Sequence, residues 1–203
     1  MAAVPLPWFN LPAFQFMRAM ATPWLNSGMQ AFTDSFYVVL PVIAAFLLLR
    51  RDKNVYSFAI AVVALYILSD LLKNIFMEPR PCSVSELSWI NSVGCESTYG
   101  FPSNHATVLA GLPLFLGNHK VLRVLYIVWL AVVLFSRVYL GQHYLTDVIA
   151  GIIISFAVSY LIYRVRGTLT RIGDWTLKLV GLGRLNQGKG TAAMHSLNDL
   201  PNG

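Results

Sequence analysis

Charge is scarce in this chain. Asp, Glu, Lys and Arg make up 12% of its 203 residues, against about 25% in a soluble globular protein. Apolar residues rise to 56%, above the usual value of about 45–50%. This balance excludes an ordinary water-soluble domain and indicates a membrane protein. The length allows one domain and leaves no room for a second soluble module. No internal repeat is present. At the N-terminus no basic region precedes an apolar core, so no cleavable signal peptide is expected. The net charge of +6 comes without a basic face carrying interleaved aromatics, which excludes nucleic acid as a partner.

What the chain does have is apolar runs near the length of about 20 residues that spans a bilayer. These are Phe36–Leu49, Val55–Leu72, Val121–Leu140 and Val148–Val165, with a shorter one at Ala106–Gly117 between Pro102 and Asn118-His119-Lys120. The short run can span if its first turn lies in a polar cavity. Basic residues then set the topology. Arg50, Arg51 and Lys53 follow the first run, Lys120 and Arg123 the third, and Arg164, Arg166 and Arg171 the fifth. With five spans all three clusters share one face, which should be cytoplasmic. Residues 73–105 and 141–147 fall on the opposite face.

The stretch Pro5–Gln30 is rich in aromatics (Trp8, Phe9, Phe14, Phe16, Trp24) and carries a single charge, Arg18. Pro5, Pro7, Pro12 and Pro23 interrupt it, which disfavours a straight spanning helix and suits an interfacial one; a sixth span is the alternative. Thr168–Leu185 reads as an amphipathic surface helix, with Trp175, Leu177, Leu179 and Val180 toward lipid and Arg171, Lys178 and Arg184 toward headgroups. The expected architecture is all-α: a polytopic helix bundle of five spans, six possible, in one domain over residues 1–185, with a disordered tail over 186–203.

Ionisable residues within a membrane are costly and mark function. Here they collect at one level: Lys73 and Arg80 after the second run, Ser103-Asn104-His105 before the third, Arg137 at the end of the fourth, and His143 and Asp147 at the start of the fifth. Three cations with two histidines and a carboxylate make an anion site. Spaced i and i+4, His143 and Asp147 would meet on one face of a helix. A carboxylate there can hold one ring nitrogen and leave the other free to act as a nucleophile. Two histidines without a matched set of thiols or carboxylates make a poor metal site, so neither metal nor other cofactor is expected. Asp70, three residues before Lys73, is expected to pair with it along the helix. Asp34 and Glu78 are expected to be solvated or to stand behind the site. Cys82 and Cys95 lie in the same connection; a disulfide and two free thiols are both open. Trp89, Ile90, Val93, Tyr99 and Phe101 are candidates for the rim where a lipid chain enters.

Lys73…Arg80-Pro81, Pro102-Ser103-Asn104-His105 and Ser136-Arg137…His143…Asp147 resemble, in order and spacing, the three signature motifs of the type-2 phosphatidic acid phosphatase (PAP2) superfamily. The resemblance implies a membrane lipid phosphatase in which His143 is the nucleophile and forms a phosphohistidine. It also implies that His105 protonates the leaving oxygen and then activates water. Lys73, Arg80 and Arg137 would neutralise the phosphate oxygens, helped by Ser103 and Asn104 at a helix start. Asn104 departs from the glycine common at that position, which bears on the substrate more than on the class. The implied partners are a lipid phosphate, with a polyprenyl diphosphate favoured by analogy, and the surrounding lipids. Phosphatidylglycerol phosphate, phosphatidate and lipid A phosphate stay open as substrates, and so does the oligomeric state. Two rival readings also stay open: transfer of the phosphoryl group to a lipid or sugar, and a non-catalytic anion transporter.

Overall fold

The computed structural model describes residues 10–84 and 94–179, and every regular element among them is helical. Trp8, Phe9, Trp89, Ile90, Val93 and the tail beyond Leu179 lie outside the described residues. Four stretches are long and apolar enough to cross a membrane: Pro23–Leu49, Asn54–Ser83, Lys120–Tyr139 and Leu145–Arg164. The shorter apolar piece Asn104–Leu116 stands among them. We label the helices α1 (Asn10–Ala19), α2 (Pro23–Asp34), α3 (Phe36–Leu49), α4 (Asn54–Phe76), α5 (Asn104–Leu109), α6 (Lys120–Tyr139), α7 (Leu145–Arg164) and α8 (Arg166–Leu179).

The bundle is apolar inside and outside, as lipid solvation requires. Leu47, Phe58, Leu65, Leu109, Leu112, Phe115 and Val133 form the buried core. Tyr66, Ile67, Val124, Val128, Ile153 and Leu161 are all more than half exposed and face away from the bundle. A soluble protein would not expose so wide an apolar belt; in a bilayer it is the lipid contact surface.

The N-terminal stretch differs from a single interfacial segment. Pro23 stands at the first position of α2, where its missing N–H is no loss, so it starts a helix instead of breaking one. From Pro23 the helical stretch continues to Leu49. Its polar side chains find partners on α6: Thr33 Oγ1 lies 2.7 Å from Ser136 Oγ, and Tyr139 OH donates to Asn26 Oδ1 at 2.7 Å. Only α1 stands apart from this long stretch, and its Phe14 is buried against Tyr144.

Two separate faces are visible from contacts between loops. On one, His119 pairs with Asp52 at 3.0 Å and Tyr56 OH donates to Asp174 on α8. On the other, Cys82 N donates to Gly141 O and Gly100 N to Glu78 O. The three basic clusters and the motif residues therefore occupy opposite ends, as the charge pattern predicts. On α8, Trp175 is exposed, in line with a surface-lying helix.

The short α5 is wedged deep in the bundle because α7 offers it a face of small residues at four-residue spacing, Gly151, Ser155 and Ser159. Ser155 Oγ accepts from Gly111 N at 2.8 Å. A Cβ on Gly151 would sit 2.7 Å from the Ala106 Cβ, too close for any side chain without displacing the helix that carries His105. Gly151→Val is therefore expected to cost about 1–3 kcal/mol or more from overpacking. The check is a lowered unfolding temperature in detergent together with lost activity.

Candidate active site

Each of the three motifs is held in place by a local backbone device. Met77 ends α4 in the left-handed conformation at φ 49°, Pro79 then keeps the α-helix from resuming, and Pro81 opens a single 3-10 turn, Pro81–Ser83. This leaves Lys73 in the last turn of α4 and sends Arg80 back over the bundle. The second motif is fixed to the third by its backbone: Ser103 N donates to Asp147 O at 3.2 Å. In the third, Gly141 turns at φ 68°, and the backbone N–H groups of Gln142 and His143 both donate to Arg137 O. His143 and Arg137 are thus one rigid piece.

The structure brings the predicted residues together and buries them. Lys73 and Arg80 are each 2% exposed, and Arg137 and His143 1%. His105 and Asp147 are buried beside them, the His105 ring tilted against Phe36 with centroids 4.9 Å apart. Ser103 Oγ and both ring nitrogens of His105 make no hydrogen bond among the described residues. Buried polar atoms without partners are rare in native structures, and these lie beside the buried cations. No group of three or more His, Cys, Asp or Glu at metal-binding spacing occurs among the described residues.

His143 and Asp147 do meet, by a different route from the i, i+4 helical face. α7 begins only at Leu145, so His143 precedes the helix. Asp147 is its third residue, and Oδ2 accepts from Tyr144 N at 2.9 Å. That capping bond aims the carboxylate at the helix start, where Oδ2 lies 3.4 Å from His143 Nδ1. On the other side of the ring, Arg80 Nη1 stands 3.1 Å from Nε2. A guanidinium can only donate, so Nε2 must be the acceptor and the ring proton sits on Nδ1, facing Asp147. The imidazole is neutral, with a lone pair on Nε2. Burial drives its pKa well below 6.5, and Arg137, Arg80, Lys73 and His105 add to the effect.

One expectation does not hold. Lys73 forms no pair with Asp70, which is exposed; its ammonium turns inward and donates to Tyr99 O at 2.6 Å. The amide oxygen of Asn104 accepts from Ser69 Oγ on α4, so in this structure that end of the side chain ties two helices together. Cys82 and Cys95 are joined by a disulfide, with Cα atoms 5.7 Å apart. Of the rim candidates, Tyr99 is 40% exposed and Phe101 packs edge-on against Phe76. Asp34 is exposed and accepts from Gln30; Glu78 is half-buried.

One site residue was missed. Glu96 reaches over the cations: Oε2 lies 2.7 Å from Arg80 Nη2 and Oε1 bonds Arg137 Nη2. Burial alone would raise its carboxyl pKa, but Arg137 and Arg80 together outweigh that and hold it below its ordinary value. A lone acid in a loop carries no periodicity; its only signal was the adjacent Cys95.

Spanning helices that bury three cations and two imidazoles at one end define an integral membrane phosphatase. The chain belongs to the PAP2 superfamily, whose model matches residues 54–171. It is 29% identical to an undecaprenyl-diphosphatase of Sulfolobus acidocaldarius, over 79% of this chain and 80% of that one. It is 28% identical to a lipid A 4'-phosphatase of Bacteroides thetaiotaomicron, over 76% of each. Among solved structures, a transmembrane phosphatidylglycerolphosphate phosphatase of Bacillus subtilis superposes with TM-score 0.61 at 26% identity, over 76% of this chain and 82% of that one. The Aquifex aeolicus LpxE structure shares the fold, with TM-score 0.66 at 20% identity, over 81% and 99% of the two chains. The protein is a multi-pass membrane hydrolase of phosphoric esters.

The neutral state of His143 can be read directly. Because its pKa is lowered, the neutral ring should persist as pH falls past 6.5 and take a second proton only at the lowered value. Nitrogen-15 spectra of selectively labelled protein should show the Nδ1–H tautomer at pH 7 and still at pH 6.

Proposed function

We propose that the chain removes a terminal phosphoryl group from a membrane lipid through a covalent intermediate on His143. The lone pair on Nε2, aimed away from Asp147 and toward the cations, carries this reading. In the first step Nε2 forms a bond to phosphorus while the bond to the lipid oxygen breaks, and His105 gives that oxygen its proton. A bound phosphate dianion favours the protonated form of His105. In the second step His105 takes a proton from water, whose oxygen displaces Nε2 from phosphorus and frees inorganic phosphate. Asp147 steadies the imidazolium character that develops on His143, while Lys73, Arg80, Arg137 and Ser103 hold the phosphate oxygens. These fixed cations do the neutralising that a metal does elsewhere. We assign this chemistry to a single domain over residues 1–185.

For substrate, a polyprenyl diphosphate is favoured by the likeness to the Sulfolobus enzyme. A lipid A 4'-phosphate and phosphatidylglycerol phosphate follow from the other relatives. For orientation, the basic clusters at the far end support a site facing the outside of the cytoplasmic membrane, and the disulfide beside the site suits an oxidising compartment.

Purified protein in detergent should release phosphate from a panel of these lipids, fastest from the diphosphate, and equally well in EDTA. His143→Ala should lose about 10³-fold or more of the rate. Loss of activity in EDTA would overturn the metal-free mechanism. Labelled phosphate retained in a lipid product would make the protein a phosphotransferase, and full function in His143→Ala would make it a transporter.

A further inference from the structure

The segment 94–100 lies over the site and satisfies its cations in place of a ligand. Tyr99 O accepts from Lys73, and Thr98 accepts twice from Arg80 through O and Oγ1, each at 2.7 Å. Among the described residues, Glu96 alone bridges Arg80 and Arg137. The segment is pinned beside the site from two sides. Cys95 is bonded to Cys82, and Gln142, the residue before His143, donates to Gly94 O at 2.6 Å and accepts from Glu96 N at 3.2 Å. Yet the Glu96 side chain is 46% exposed, while the guanidinium groups it bridges are 2% and 1% exposed. Its carboxylate can swing into solvent without unpacking anything; the arginines cannot follow.

Resting on the phosphatase reading, we infer that Glu96 is an internal competitor for the phosphoryl site, which a ligand must displace from Arg80 and Arg137 before it binds, so that only strongly anionic phosphoryl groups occupy the site. Two oxygens of a carboxylate match the two guanidinium groups much as two oxygens of a phosphoryl group would. Exchanging Glu96 for a phosphodiester replaces one negative charge by one and gains little. Exchanging it for a terminal phosphate brings a dianion to three buried cations and gains more. Displacement weakens every ligand by the same factor, the fraction of molecules with the carboxylate withdrawn. The carboxylate therefore does not sharpen a ratio of affinities. It sets a floor, and the singly charged phosphodiester headgroups that crowd a membrane surface fall beneath it.

The test is equilibrium binding by calorimetry in a maltoside detergent, which needs no turnover. Inorganic phosphate and a short-chain phosphatidylglycerol serve as dianionic and phosphodiester probes. Glu96→Gln keeps the shape and removes the charge; both probes should bind about tenfold more tightly, by a common factor. Glu96→Asp keeps the charge but is one methylene too short to bridge both guanidinium groups, and should fall between the two; it carries the test if Glu96→Gln does not fold. Unchanged or weaker phosphate binding in these variants overturns the inference, since a carboxylate that merely positions the arginines would weaken binding when altered. Arg137→Ala separates this failure from failure of the site itself. If phosphate binding is lost there but Glu96→Gln gains nothing, the phosphoryl site stands and the competitor does not. If wild type and variants alike bind no phosphate, both fall.

Discussion

Three positive charges buried at one end of a membrane bundle are the constraint on which this structure depends. Lys73, Arg80 and Arg137 come from three different parts of the chain, and each is almost sealed from water. Like charges so placed repel, and in a poorly hydrated site the repulsion is strong. The surrounding backbone answers it with carbonyl oxygens from Thr98, Tyr99 and Gln142 and with the carboxylate of Glu96. A single loop thus fills much of the coordination of all three cations.

The same constraint explains the devices around the site. α4 stops at a left-handed Met77, α7 starts late at Leu145, and α5 is only six residues long. Each irregularity places a polar side chain near the end of a helix, where backbone groups are left unpaired. Small residues on α7 let α5 approach closely enough to bring His105 alongside the third motif. The geometry of the site is a consequence of where helices end.

Much of the fold was legible from the chain alone, because lipid imposes a simple rule. A spanning segment must be apolar and helical, so the long helices followed from hydropathy, and the two faces from Arg and Lys placement. The N-terminal stretch was read less well. The stretch is interrupted just before Pro23, as expected, but Pro23 then begins a second helix whose Asn26 and Thr33 bond to α6; that it joins the long apolar stretch is not visible without the neighbouring helix in view.

Sequence by itself determined the class of chemistry: two histidines, an aspartate and three cations in ordered motifs, all on one side of a topology drawn from charge. Only the tertiary structure decided how those groups are partnered. It turned Lys73 away from Asp70 toward a carbonyl 26 residues away in sequence but adjacent in space, held the His143 ring between Arg80 and Asp147, closed the disulfide, and laid Glu96 across two arginines. Periodicity reports which face of an element is buried. It says nothing of which acceptor a buried cation finds, since that depends on distances between segments far apart in the chain.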